Sequence, residues 1–208
     1  MLEVRGLGAS KLGPLDLSLA AGELLCLTGA SGTGKSLFLR ALADLDPHEG
    51  SVRLDDLDQA SCPAQDWRRR VGLLPASPSW WGDVVRDCFP PFPSGKTGKL
   101  PEGSDGDTYG LEELGLPPEV LTWEHERLSS GESQRLAFLR LLALRPALLL
   151  LDEPCANLDE ANTLLIETLI HRYREEHDAA CIVVSHDRAQ QLRLGGRILR
   201  MEEGRLVE

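Results

Sequence analysis

The chain has 208 residues, of which 42% are hydrophobic and 26% are charged, and its formal net charge is -11 at pH 7. This composition is typical of a folded globular domain and argues against a disordered chain. The acidic balance opposes nucleic-acid binding, because that function needs a basic face and the densest basic run is only RRR, residues 68–70. Since there is neither an apolar run of about 18 residues nor a signal-peptide core, we expect the protein to stay in the cytoplasm.

The N-terminal third predicts two kinds of strand. Short segments that alternate apolar and polar residues favour an antiparallel sheet. These segments are EVRGL (3–7), LDLSLA (15–20) and GSVRLDD (50–56). Between them, ELLCLTG (23–29) is a continuous apolar run that predicts a buried strand, and KSLFLRALADL (35–45) has the apolar spacing of a helix.

The rest of the chain alternates buried-strand runs with helical patterns. The strand runs are RVGLLPA (70–76), PALLLLDEP (146–154) and AACIVVSHD (179–187), and the helical patterns are ESQRLAFLRLLAL (132–144) and residues 159–177, with Leu164, Leu165, Ile166, Leu169 and Ile170 facing inward. Residues 90–108 are rich in Pro, Gly, Ser and Asp, which predicts a loop inside the domain. The alternation predicts an α/β fold with a mostly parallel sheet beside the antiparallel one.

GASGTGKS (29–36) follows a predicted buried strand and opens a predicted helix, as a phosphate-binding loop must. Gly29 and Gly34 allow backbone N–H groups to turn inward around a phosphate. Lys35 should reach the β- and γ-phosphates, and the Ser36 hydroxyl should ligate Mg²⁺. The predicted nucleotide contacts in this segment are Gly29, Ala30, Ser31, Gly32, Thr33, Gly34, Lys35, Ser36 and Leu37.

LLLLDEP places Asp152 and Glu153 at the tip of a buried strand. Burying two carboxylates there is costly unless something compensates them. Mg²⁺ held partly through Asp152, with Glu153 polarising a water, would do so, whereas the plain alternative is an acidic turn. His186 follows another strand tip on the expected phosphate side and is a candidate γ-phosphate sensor, although a lone histidine is more often structural.

RLSSGESQR (127–135) has two explanations. Ser129, Ser130 and Gly131 stand at the start of a predicted helix, where N–H groups and hydroxyls can bind an anion. On its own the segment is better explained as a helix N-cap, with Ser129 and Glu132 in a capping box.

Taken together, these motifs resemble those of the ATP-binding-cassette (ABC) ATPases. GASGTGKS, LSSGE, LLLLDEP, ANLD (156–159) and SHD occur in the family's order, and the resemblance covers nearly the whole chain. It implies one ABC ATPase domain over 1–208, with a P-loop core and an inserted helical subdomain at about 77–143. It also implies ATP and Mg²⁺ as cofactors and a head-to-tail dimer of two copies, in which the signature Ser and Gly of one copy close over the ATP of the other. In that scheme Glu153 is the general base, His186 the switch histidine, and Asp159 communicates across the dimer.

SPSWWGDVVRDC (77–88) and IHRYREEHDAACIVVSHD (170–187) further resemble the ATP-binding subunits of Fet-type iron exporters. This implies a separate integral membrane permease as partner and a peripheral position on the inner face of the cell membrane. The alternative is a soluble, weakly active ABC ATPase that acts as an assembly or scaffold factor.

The sequence departs from the family at two places. Ala76 stands where the resemblance implies a glutamine, and no aromatic residue precedes Phe38 to stack on adenine. An alanine can neither ligate a metal nor hydrogen-bond a water. Trp80 and Trp81 follow Ala76 and are expected either to face the permease or to pack under the 90–108 loop, whereas Trp67 and Trp123 are assigned to packing.

Overall fold

The computed structural model describes residues 1–90 and 110–207. Its strands are β1 (Leu2–Ala9), β2 (Leu12–Leu19), β3 (Leu24–Thr28), β4 (Glu49–Leu54), β5 (Leu57–Asp58), β6 (Val71–Leu74), β7 (Leu148–Asp152), β8 (Ala180–Val184), β9 (Arg197–Glu202) and β10 (Arg205–Val207). Its α-helices are α1 (Lys35–Leu42), α2 (Ala64–Arg70), α3 (Ser130–Leu142), α4 (Glu160–His177) and α5 (Arg188–Leu194). Short 3-10 helices span Gln59–Ser61, Val85–Cys88, Glu112–Leu114, Pro118–Thr122 and His125–Arg127.

A six-stranded sheet in the order β6-β7-β8-β3-β9-β10 forms the centre of the domain, and only β10 is antiparallel to its neighbour. Every residue of β7 and β8 is buried. Strands covered on both faces are typical of parallel sheets flanked by helices, so the prediction of a mostly parallel sheet is confirmed.

A second sheet, ordered β2-β1-β4-β5, is antiparallel throughout, as the alternating N-terminal segments predict. Its apolar side chains pack with α1, Trp67 and alternate residues of β7 and β8, including Leu148 and Leu150. The intervening residues Leu149 and Leu151 face the opposite side of the sheet, where α3 and α4 pack. The parallel sheet therefore separates two apolar layers.

The segment predicted as the helical subdomain, 77–143, contains one α-helix in its described part, α3, together with four of the 3-10 helices. Apart from Pro90, the predicted loop over 90–108 lies outside the described residues. Within the two described ranges, no helix is both long and apolar enough to cross a membrane.

The buried face of α4 is narrower than the sequence pattern predicts. Ile166, Leu169 and Ile170 are buried, but Leu164 and Leu165 are 42% and 38% exposed, so the prediction that these two face inward is wrong. Five apolar residues within seven positions cover more of the helix circumference than one flat contact with a sheet can hide. With about 3.6 residues per turn, Leu164 falls on the far side of the helix from Ile166, and Leu165 falls at the edge of the buried stripe.

Candidate nucleotide site

The strand order brings the sequence motifs to one edge of the central sheet. β8 lies between β3 and β7, with Leu27 and Asp152 both paired to Val184. Because the three strands are parallel, the segments that follow them leave from the same edge. The phosphate loop (29–36), the Asp152–Glu153 pair and His186 therefore meet there.

The phosphate loop requires glycine at two positions. Gly29 has a φ of 139°, and a Cβ on it would lie 2.4 Å from the Met201 carbonyl oxygen. Gly34 has a φ of 108°, and its Cβ would lie 2.7 Å from Leu12 Cδ2. The loop is thus pressed against β9 and β2 from behind. Among the residues that the structure describes, no side chain caps the start of α1, so the first N–H groups of the helix remain available for an anion.

Lys35 is held inside the loop. Its Nζ donates to the carbonyl oxygens of Gly29 at 2.8 Å and Ala30 at 2.9 Å, and the residue is only 6% exposed. Burial lowers the pKa of the Lys35 ammonium, and the charges of Glu153 and Asp152 oppose this effect. The ammonium is therefore held by the loop carbonyls and lies within the electrostatic influence of both carboxylates.

Asp152 and Ser36 fit the requirements of a Mg²⁺ site. Burial raises the pKa of the Asp152 carboxyl, while a hydrogen bond from Ser36 and the charge of Lys35 oppose the rise. A buried carboxylate beside a hydroxyl offers the hard oxygen donors that Mg²⁺ prefers, and this ion keeps several waters alongside few protein ligands.

Glu153 and His186 form a direct pair at the same edge. Glu153 Oε1 lies 3.1 Å from His186 Nε2, and both side chains are partly exposed. Glu153 has a φ of 50°, in the left-handed region that disfavours residues with a side chain. Its N–H donates to the Val184 carbonyl at 3.1 Å, which holds this backbone in place and turns the carboxylate toward His186.

The signature turn (129–131) is a capped helix start. The Ser129 hydroxyl accepts from the Glu132 N–H at 3.3 Å and donates to Glu132 Oε2 at 2.7 Å, and the Ser129 N–H donates to the same oxygen at 2.9 Å. The predicted capping box is confirmed. Ser129 and Ser130 are exposed. Among the described residues, no hydrogen bond or ion pair joins this turn to the phosphate loop of the same chain.

Asp159 caps α4 and lies in the chain segment behind the signature turn. Its Oδ1 accepts from the backbone N–H and the side-chain amide of Asn162, and Asn162 also accepts from Arg135 on α3. A Cβ on Gly131 would lie 3.2 Å from Leu158 Cδ2. The signature turn and the Asp159 segment are therefore packed together, a contact that no sequence motif predicted.

The family model described as ABC transporter matches residues 12–156. The chain belongs to the ABC transporter family. The aliphatic sulfonates import ATP-binding protein SsuB 2 of Rhizobium johnstonii is 38% identical over 195 residues, which cover 93% of this chain and 72% of that protein. The probable iron export ATP-binding protein FetA of Escherichia coli K12 is 35% identical over 181 residues, which cover 86% of this chain and 80% of that protein.

Solved structures show the same fold. The dimeric bacterial ABC transporter cassette MJ0796 superposes with a TM-score of 0.79 at 23% identity, covering 100% of this chain and 97% of that one. A bacterial Atm1-family ABC exporter with ATP bound has a TM-score of 0.79 at 23% identity, covering 100% of this chain and 38% of that one. The fold is that of the ABC ATPases, and as a member of the family the chain is an ATPase that binds ATP with Mg²⁺.

The two departures noted in the sequence have clear positions in this ABC fold. Ala76 is exposed two residues beyond β6, whose last residue, Leu74, pairs with Leu151 of β7. It therefore lies at the edge that carries Asp152 and Glu153, but its methyl group can neither ligate a metal there nor hydrogen-bond a water. Phe38, the first aromatic residue of the chain, is fully buried, so it has no free face for an adenine base.

Proposed function

We propose that two copies of this chain bind ATP head to tail, each ATP lying between the phosphate loop of one copy and the signature turn of the other. The main support is that one chain holds two separate anion-binding features, the phosphate loop and the signature turn. The phosphate loop lies beside Asp152, Glu153 and His186, whereas the exposed signature turn makes no polar bond to the loop within the described part of the chain. A second copy supplies the missing half, and the solved dimers of the MJ0796 cassette, including one bound to ADP and Pi, support this arrangement.

In the proposed site each residue has one task. The N–H groups of the phosphate loop bind the phosphate oxygens, and Lys35 moves from the loop carbonyls to the β- and γ-phosphates. Ser36 and Asp152 would hold Mg²⁺, which neutralises charge on the phosphate oxygens when bound. Glu153 accepts a proton from the attacking water, and His186, 3.1 Å from it, senses the γ-phosphate.

We propose that a membrane permease docks on an apolar groove beside the signature helix. This docking groove has a volume of about 340 Å³ and is lined by Leu73, Leu74, Pro75, Trp81, Asp87, Cys88, Phe89, Pro90, Ala137, Arg140, Leu141 and Leu144. Trp81 is 68% exposed and Leu144 is 41% exposed. The relatives are named as ATP-binding proteins of import and export systems, and such a subunit needs a membrane-spanning partner. This partner would place the chain on the cytoplasmic face of the membrane.

Replacing Trp81 with alanine tests the docking proposal. An exposed indole at the centre of an interface typically contributes 2 kcal/mol or more, so we expect co-purification with a multi-span membrane protein to weaken by about 30-fold. The matched control is Leu192→Ala, which removes a side chain that is 71% exposed and is not among those lining the groove. Capture of the same soluble protein by both variants would overturn the permease proposal and favour the assembly-factor alternative.

We propose iron export as the transport process. Its support is the 35% identity with the iron export protein FetA across 80% of that protein, together with the sequence resemblance of residues 77–88 and 170–187. A strain lacking this chain is expected to accumulate iron and to grow normally with an aliphatic sulfonate as sole sulfur source. Loss of growth on the sulfonate with unchanged cellular iron would assign the chain to sulfonate import instead.

A further inference from the structure

The indole of Trp80 is tied to the helix that carries the signature turn. Trp80 Nε1 donates to the Ser133 hydroxyl oxygen at 2.8 Å. Ser133 lies in the first turn of α3, two residues beyond Gly131, and Trp80 is partly buried against the core. A half-buried indole N–H needs an acceptor, and here the acceptor lies on the helix that begins at the signature turn.

Arg140, two turns further along α3, makes a second tie to the same segment. Its guanidinium carbon lies 4.6 Å from the centre of the Trp80 ring and 4.5 Å from that of Trp81. Its Nη1 donates to the Ser79 carbonyl at 3.1 Å. Burial lowers the pKa of this guanidinium, and a cation on an aromatic face attracts more strongly when water is excluded. Segment 79–81 is thus fixed to α3 at two points on one face of the helix.

These ties connect the docking groove to the signature turn. Trp81 and Arg140 line the groove, while Ser133 belongs to the turn of helix that the Ser129–Glu132 capping box begins. An α-helix transmits a displacement along its axis because its backbone hydrogen bonds resist local change. Gly131 packs closely on Leu158, so α3 also contacts the segment that contains Asp159.

We propose that Trp80 is a positioning residue for the signature turn, acting through its hydrogen bond to Ser133 so that the docking groove and the turn move as one body. The inference rests on the proposed head-to-tail dimer and adds a coupling route to it.

The test uses the full chain carrying Glu153→Gln, in which ATP is expected to accumulate without turnover. Trp80→Phe keeps an aromatic face for Arg140 but removes the N–H donor together with part of the indole ring, and Ser133→Ala removes the acceptor. Each is expected to raise the ATP concentration for half-maximal dimerisation about fivefold, the equivalent of one hydrogen bond. The double variant should match either single variant, because both remove the same bond. ATP affinity of the monomer, measured at low protein concentration, should stay unchanged.

Trp123→Phe is the matched control. Trp123 also carries an arginine on its face, with Arg127 at 4.2 Å, but its indole N–H has no acceptor among the described residues. We expect its half-maximal ATP concentration to stay within twofold of the parent. Equal shifts in all three variants, or a shift that appears in monomer affinity as well, would reduce Trp80 to a packing role. Failure of the Glu153→Gln parent itself to dimerise would instead overturn the proposed function.

Discussion

Glu153→Gln is expected to lower the rate of ATP turnover by about 100-fold or more while ATP remains bound, the range attributed to loss of a general base. The amide has the size of the carboxylate and can still accept from His186 Nε2 at the 3.1 Å position. It cannot accept a proton from water. The phosphate loop, Lys35 and the Asp152–Ser36 pair are untouched, so the binding of ATP and Mg²⁺ should persist.

Because closure of the proposed dimer depends on bound ATP and its opening on hydrolysis, this variant should accumulate as a dimer when ATP is added. Phosphate release measures the first effect, and sedimentation with and without ATP measures the second. Glu175→Gln is the control, because Glu175 is exposed near the end of α4 and its replacement changes the net charge by the same amount. Hydrolysis within tenfold of the unmodified chain would assign the base to another group.

The meeting of the candidate site residues was predictable because these residues are placed by local rules. A Gly-rich segment between a buried strand and a helix can only be a loop that exposes its N–H groups, and carboxylates at the tip of a parallel strand share an edge with the tips of its neighbours. Lys35, Asp152, Glu153 and His186 meet as this reasoning requires. The capping box of Ser129 and Glu132 follows from a spacing of three residues.

The parts that could not be predicted depend on contacts between distant segments. Trp80 and Ser133 are 53 residues apart in the chain, and no periodicity relates them. In the same way, the sequence predicts that Gly29 allows the backbone to turn, but it does not predict that the Met201 carbonyl packs against this glycine. On α4, the apolar residues extend around more of the helix than one face, and the neighbouring surface covers only the face of Ile166, Leu169 and Ile170. Tertiary contact decides these positions.

Gly29→Ala is expected to destabilise the domain and to abolish nucleotide binding. The φ of 139° is a conformation that residues with a side chain rarely adopt, which costs about 1–3 kcal/mol. The added Cβ would also lie 2.4 Å from the Met201 carbonyl oxygen, and overpacking of this kind costs about 1–3 kcal/mol more. That oxygen is part of the backbone of β9, which is hydrogen-bonded to β3 and β10, so the loop rather than the sheet must move. A displaced loop turns its N–H groups away from the phosphates.

Gly32→Ala separates steric clash from backbone strain. Gly32 has a φ of 81°, but nothing lies within 4 Å of its added Cβ, so only the strain of about 1–2 kcal/mol applies. Thermal unfolding should therefore show a clearly larger loss of stability for Gly29→Ala, and ATP titration should show binding lost in that variant and weakened less in Gly32→Ala. Equal losses of stability in the two variants would mean that β9 yields to the new methyl group and that the loop is not braced from behind. A loop supported from behind holds the Lys35 ammonium against the Gly29 and Ala30 carbonyls, near the charges of Asp152 and Glu153. The same comparison therefore tests whether the phosphate site is already formed in the absence of ATP.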